Sequence, residues 1–426
     1  MRISRRKMLQ AGTLGAVGAS IPQRGAPPQG PQRELPPAFA ELKSVRDQIR
    51  PITVEEFQGR IALAQRLMTD AKPQYAALYV TPGTGQYYFT GIRWGGGERL
   101  MALVIPRTGD PLLVGPAFEQ DRLRELVRWP IEIRVWQEDE NPYALVAKSI
   151  ADRGFRTGMI GVEESTRYFF FDGLQKAAPK YQYASGDLVT IACRGRKTDH
   201  ELELMALAGE VTYYVYRAVF ASIREGMTPR DVSGLVSAGN QRAGLSGGGL
   251  VLFGKWAALP HGTTQPQQLQ EGDVVLIDGG TSVDGYQSDV TRTWVLGKPS
   301  EKIQRAFEVT RRAQDAALEA AQRGRLSGSV DDAARKVITD AGFGKGYEMF
   351  THRLGHGIGL DGHEHPYLVH GSKTVLEPGM TFSNEPGIYI KGEFGLRCED
   401  FMAVSENGPA KLLTPGFAPS LEKPCG

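Results

Sequence analysis

Laid against itself without gaps, the chain matches at a constant offset of 98 residues, which carries Val211 and Thr212 onto Val309 and Thr310. At the same offset Ala218 meets Ala316, Gly226 meets Gly324, Val232 meets Val330, and Ala243-Gly244 meets Ala341-Gly342. That period is far too long for a solenoid. It points to two related helix-helix-sheet halves, each leading into strands. The residues with chemistry to offer follow the same division: Asp278 and Asp289 in the first half, His356, Glu385 and Glu399 in the second. A site shared between pseudo-symmetric halves is the expectation.

The first pair sits in VLIDGGTSVDGYQSDVTRTW. Val274, Leu276 and Asp278 fall on one face of a period-2 pattern. The turn formers Gly279, Gly280, Asp284 and Gly285 then predict a hairpin that brings Asp289 near Asp278 on the returning strand. Like charges so placed resist joint ionisation, and a cation or a shared proton is needed to hold them. Taken singly, each acid has a structural explanation, as a turn former or a solvated strand end. The histidines change the weighting, because His261, His352, His356, His363, His365 and His370 lie interleaved with the acidic segments. Of the chain's histidines, His200, His365 and His370 read as structural or surface residues.

Two rival motifs fail on context. Gly244-Leu245-Ser246-Gly247-Gly248 has nucleophile-elbow spacing, but a helix precedes it and a strand, Leu250 to Phe253, follows, the reverse of what an elbow needs. His352 and His356 have the spacing of helical zinc ligands, but Arg353 stands where glutamate belongs, and Gly355, Gly357 and Gly359 disfavour a helix.

The chain has 426 residues, ample for two domains. The net charge is +2 with no long basic run, which indicates neither nucleic acid nor a membrane surface as a partner. Cys193, Cys398 and Cys425 are too scattered for a disulfide framework or a C-x-x-C site. Residues 1–37 read as an export signal followed by a proline-rich linker. Ser4-Arg5-Arg6-Lys7-Met8-Leu9 resembles a twin-arginine motif ahead of a short apolar run, with cleavage expected after Ala19 or Ser20 and a periplasmic or extracytoplasmic destination. Residues 38–193 alternate helical and strand patterns (Glu55 to Thr69; Tyr75 to Val80, Arg99 to Ile105, Pro111 to Val114, Met159 to Val162), as an α/β domain does. They hold no histidine, and Gly95-Gly96-Gly97 reads as a loop and not a phosphate cradle. Residues 194–426 open with an amphipathic helix from Asp199 to Glu225 and form the second domain.

The set Asp278, Asp289, His356, Glu385 and Glu399, set in HRLGHGIGLDGHEHP, NEPGIY and GLRCED, resembles the pita-bread metallopeptidases. Within them it is most similar to the aminopeptidase P and prolidase branch, which cleaves Xaa-Pro bonds. The resemblance implies an α+β protein: a pita-bread (creatinase/aminopeptidase-like) catalytic domain preceded by a smaller α/β creatinase-like N-terminal domain. It implies two divalent metal ions, with Asp278 on one, Asp289 and Glu399 bridging, and His356 and Glu385 on the other. An oxygen-rich donor set with one imidazole suits manganese first, with cobalt, iron or zinc as alternatives. His261 and His363 match the family's substrate-contacting histidines, His352 a position near the substrate, and Arg397 its supporting arginine. Catalytic roles are thereby implied for His261, His363, Glu385 and Arg397. The implied reaction is hydrolysis of the imide bond in proline-containing peptides by a bridging hydroxide, in homodimers or higher homo-oligomers with no membrane attachment once mature. Aminopeptidase and dipeptidase both remain open at this level. So do a dimethylsulfoniopropionate-type lyase, which keeps a metal centre on the same fold, and a non-catalytic binding homologue.

Overall fold

The computed structural model of the protein describes residues 35–426, so the expected signal and most of the linker lie outside the described residues. In the N-terminal part, α1 (Val54–Asp70) starts at a capping box in which Thr53 and Glu56 satisfy each other's backbone N–H groups. Its Phe57, Ile61, Ala64 and Met68 recur at helical spacing and are buried. There follow β1 (Tyr75–Val80), α2 (Thr84–Thr90), β2 (Ala102–Pro106), β3 (Leu112–Pro116), α3 (Gln120–Leu126) and β4 (Glu132–Trp136). Then come α4 (Pro142–Asp152), β5 (Gly158–Val162), α5 (Tyr168–Ala177), β6 (Tyr181–Ser185) and α6 (Asp187–Gly195). The strands form one mixed six-stranded sheet in the order β4-β3-β2-β1-β5-β6. Central β1 is buried at every position, which explains why its sequence is apolar without alternation.

Two helix pairs frame the C-terminal part. The first is α7 (Asp199–Phe220) with α8 (Pro229–Arg242); after β7 (Gly247–Phe253), β8 (Val274–Val283), β9 (Tyr286–Gln287) and β10 (Val290–Val295) comes the second, α9 (Glu301–Ala320) with α10 (Ser327–Asp340). Both ends of α8 and α10 keep the 98-residue offset. So do the glycines that stop the chain in left-handed conformation: Gly226 (φ 83) with Gly324 (φ 81), and Gly244 with Gly342 (both φ 83). The offset does not extend into the strands, because residues 345–351, which would match β7, form no strand. The helix predicted to run to Glu225 ends at Phe220.

The chain closes with β11 (Gly355–Gly357), β12 (Glu364–Leu368), β13 (Thr381–Asn384), β14 (Gly387–Ile390), β15 (Phe394–Arg397), β16 (Asp400–Ala403) and β17 (Lys411–Leu412). They make a five-stranded antiparallel sheet, β12-β11-β13-β16-β17, and the hairpin β14-β15, beside the sheet built from β7 to β10. Apolar residues of β7, β8, α9, α10 and the closing strands share one core, including Leu276, Phe307, Val330, Phe382 and Leu396. No helix among the described residues is long and apolar enough to cross a membrane.

Candidate metal centre

Asp278 lies inside β8, opposite Thr291 of β10 and Leu250 of β7. The predicted hairpin is present, but its turn is made by Asp284 (φ 45) and Gly285 (φ 89) alone. Gly279 and Gly280, expected to help turn the chain, sit within β8. Gly280 is there because its strand runs tight against the return strand: a Cβ on it would stand 2.0 Å from the Ser288 carbonyl oxygen. Asp289 interrupts pairing between β9 and β10, Glu385 falls between β13 and β14, and Glu399 between β15 and β16. These three carboxylates therefore occupy breaks in strands, where the side chain is free of the sheet's alternation.

The structure brings the five residues together. Ligand atoms of Asp278, Asp289 and Glu399 lie within 4.8 Å of one another, as do those of His356, Glu385 and Glu399, and those of Asp289, His356 and His363. His356 is 2% exposed. Its Nδ1 meets the Gly357 carbonyl oxygen at 3.0 Å; that oxygen can only accept, so Nδ1 carries the proton. Nε2 then faces Glu385 Oε1 at 3.3 Å and Asp289 Oδ2 at 3.7 Å, the tautomer a metal-binding imidazole needs. His363 stacks on His356 with ring centroids 3.5 Å apart. His352 joins its Nε2 to the Tyr389 hydroxyl at 2.8 Å and lies 3.8 Å from Glu385. His261 stands in an exposed turn after Gly254–Ala258, and burial lowers the pKa of both His352 and His363.

Four carboxylates share this space with one guanidinium. Arg397 donates to Asp278 Oδ2 at 2.5 Å and to Tyr389 at 2.9 Å, and lies 3.7 Å from Glu399 and 3.9 Å from Glu385. Burial, then the Asp278 charge, pushes the Asp289 carboxyl up to about 8. Burial and the charges of Asp289, Glu385 and Asp278 hold Glu399 well above the usual carboxylate range. Burial also pushes Glu385 upward, but its contacts with His356, His352 and Arg397 outweigh that and bring it down to about 2. The imbalance is what divalent cations would relieve, and the donor set, carboxylate oxygens with imidazole, fits them.

Several supporting residues were not singled out from the sequence. The Thr291 hydroxyl lies 2.5 Å from Glu399 Oε2 and 3.0 Å from Asp278 Oδ1 while accepting from Arg397 Nε. Its position opposite Asp278 is the one signal that hairpin register offered. Ser383 accepts the His356 N–H and donates to Glu385. Fully buried Arg292 pairs with Asp400 at 2.7 Å and donates to the Glu399 carbonyl oxygen. The His363 loop is gripped by α2, α6 and the segment just after α6: Thr84 and Arg194 both bond Asp361, and Arg194 and Lys197 both bond Glu364. A cleft of about 540 Å³ opens there, bounded by Thr84, Glu163, Arg194, Asp361 and His363 among others.

The rival readings end as the sequence suggested. Ser246 follows α8 and precedes β7. His352 and His356 lie outside any helix. Cys398 is buried beside Glu399 with its thiol pushed up to about 12 by burial, which suits packing. His200 bonds Glu56 and the Arg50 carbonyl oxygen, and His370 bonds Asp332.

A mixed α/β sheet domain and a strand-lined acid and imidazole cluster between two helix pairs define a two-domain protein with a candidate metal centre. The chain belongs to metallopeptidase family M24: that family's profile matches residues 203–406, and the creatinase/prolidase N-terminal domain matches residues 60–195. The chain is 36% identical to "Probable dipeptidase PepE" of Mycobacterium tuberculosis, over 85% of this chain and 96% of that protein. It is 35% identical to the Xaa-Pro dipeptidase of Lactobacillus delbrueckii, over 78% of this chain and 90% of that one. The crystal structure of dipeptidase PepE from Mycobacterium ulcerans superposes with a TM-score of 0.80 at 34% identity, covering 86% of this chain and 98% of that one. The expected fold, a creatinase-like α/β domain followed by a pita-bread catalytic domain, is the one found. Family membership implies a pair of divalent metal ions.

Proposed function

We propose that the protein is an Xaa-Pro dipeptidase, hydrolysing the imide bond of proline dipeptides. The convergence of Asp278, Asp289, His356, Glu385 and Glu399 carries this reading, and the dipeptidase names of its relatives favour dipeptides over longer peptides. Asp278 with Asp289 and Glu399 would hold one ion, and Glu399 and Asp289 with His356 and Glu385 the other, with manganese as the native metal. Such a pair supplies Lewis acidity, lowering the pKa of water and polarising a scissile carbonyl.

The chain's own groups do the rest. Glu385, held low by its histidine neighbours, is ionised, which suits a metal ligand and lets it take up a proton only to pass it on. His363, whose pKa burial and the His356 charge lower, is a neutral imidazole that can donate a hydrogen bond to the substrate carbonyl. His261 at the rim and His352 behind Glu385 contact the substrate, and the proton Glu385 takes up passes to the departing imide nitrogen by way of His261 or His363. Arg397 holds Asp278 and Glu399 in place. Proline substrates need such a dedicated site because the imide nitrogen carries no N–H for an ordinary protease subsite.

The test is hydrolysis of an Xaa-Pro dipeptide and an Xaa-Pro-Yaa tripeptide by chelator-stripped and manganese-refilled protein, beside Asp289→Asn. Metal-dependent cleavage of the dipeptide, lost in the variant, is expected. Preference for the tripeptide would make the protein an aminopeptidase. Cleavage of dimethylsulfoniopropionate with neither peptide touched would make it a lyase.

Homodimer formation belongs to this reading on family resemblance alone and is checked by light scattering. Export by the twin-arginine route rests on Arg5 and Arg6; replacing both with lysine should retain the protein inside the cell, and undiminished export would sink the idea.

A further inference from the structure

Tyr216 is on α7, one turn beyond Thr212, whose hydroxyl lies 2.8 Å from that of Ser288, the residue before Asp289. This face of α7 therefore backs onto the acid-bearing hairpin. The Tyr216 side chain is fully buried, and its hydroxyl has no hydrogen-bond partner among the described residues. The oxygen stands 3.5 Å from where a Cβ would sit on Gly249. Gly249 pairs with Gly279, and the next pair along is Leu250 with Asp278. Gly249, which the catalytic reading leaves unused, thus keeps a side chain out of the space between the phenol and the strand that carries Asp278. Burial raises the Tyr216 phenol well above its usual range, and the charges that add most to this are Asp278, Asp289 and Glu399.

A buried hydroxyl without an acceptor is unfavourable, and native chains rarely tolerate one without a reason. Both Asp278 oxygens are already engaged, by Arg397 and by Thr291. We propose that Tyr216 is a positioning residue whose hydroxyl donates to an oxygen at the Asp278–Asp289 hairpin once divalent cations are bound there, stabilising the loaded centre and not the metal-free one. The proposal rests on the metal centre proposed above.

Tyr216→Phe removes the hydroxyl and leaves the ring. The experiment titrates Mn2+ alone into metal-free wild type and variant by calorimetry, and melts both proteins with and without Mn2+. The metal-free variant should melt at the wild-type temperature or higher, because it loses no partner. Its Mn2+ affinity should fall about tenfold or more, as expected for a hydrogen bond to a charged acceptor. Unchanged affinity, or a metal-free variant that melts lower than wild type, would overturn the role of Tyr216. Wild type that binds no Mn2+ would overturn the metal centre and this role with it, an outcome distinct from the first two.

Discussion

Glu163 shows what a single buried carboxyl does to this protein. It is 2% exposed, just beyond β5, and among the described residues its oxygens accept from the backbone N–H and hydroxyl of Ser165, at 3.0 and 2.7 Å. Burial lifts its pKa from 4.5 to about 7. Between those two values the native state binds more protons than the unfolded chain, so stability falls as the pH rises through that window. Glu163→Gln cannot ionise and escapes the loss. Its stability relative to wild type should rise by up to about 3 kcal/mol between pH 4 and pH 8, read from denaturant melts of the metal-free proteins. A difference that does not change with pH would mean that Glu163 is ionised in the native state at its ordinary pKa.

At the scale of elements, the N-terminal part holds the loop that carries His363. Arg194 closes α6 and reaches Asp361 at 2.5 Å and Glu364 at 2.6 Å, on either side of His363. Thr84, at the start of α2, bonds the other Asp361 oxygen at 2.5 Å. Removing one partner of a buried ion pair strands the others. We expect Arg194→Gln to lower kcat/KM by up to about 100-fold through misplacement of His363, with Mn2+ affinity unchanged and partial recovery in Arg194→Lys. Equal losses of metal affinity and activity would show that Arg194 supports the whole centre and not this loop. None of these partners was singled out from the sequence, because Arg194 and Glu364 are 170 residues apart and no local pattern links them. The helix pairs were legible for the opposite reason. Their glycine stops and apolar spacing are local, and α8 and α10 fall at the predicted offset at both ends.

For the whole molecule, metal and fold should stabilise one another, because a ligand that binds only the native state raises its stability by mass action. At a hundredfold excess over Kd that is about 2.7 kcal/mol. Wild type should therefore melt lower after chelation and recover with Mn2+, and Asp289→Asn should show little shift with either treatment. A wild-type melting temperature indifferent to chelator would argue against a centre shared by both halves. The sequence by itself determined the fold class, the duplicated helix pairs and the five residues of the cluster, because glycine stops, hydrophobic period and the motifs around His356, Glu385 and Glu399 are written locally. Only the tertiary structure decided that Gly279 and Gly280 run inside β8, that three of the carboxylates occupy strand breaks, that Thr291, Ser383 and Arg292 bond Glu399 and Glu385, and that Tyr389 bonds Arg397 beside them. Those outcomes depend on which strands pair and at what register, and on the balance of burial against charge, and both exist only once distant segments are packed together.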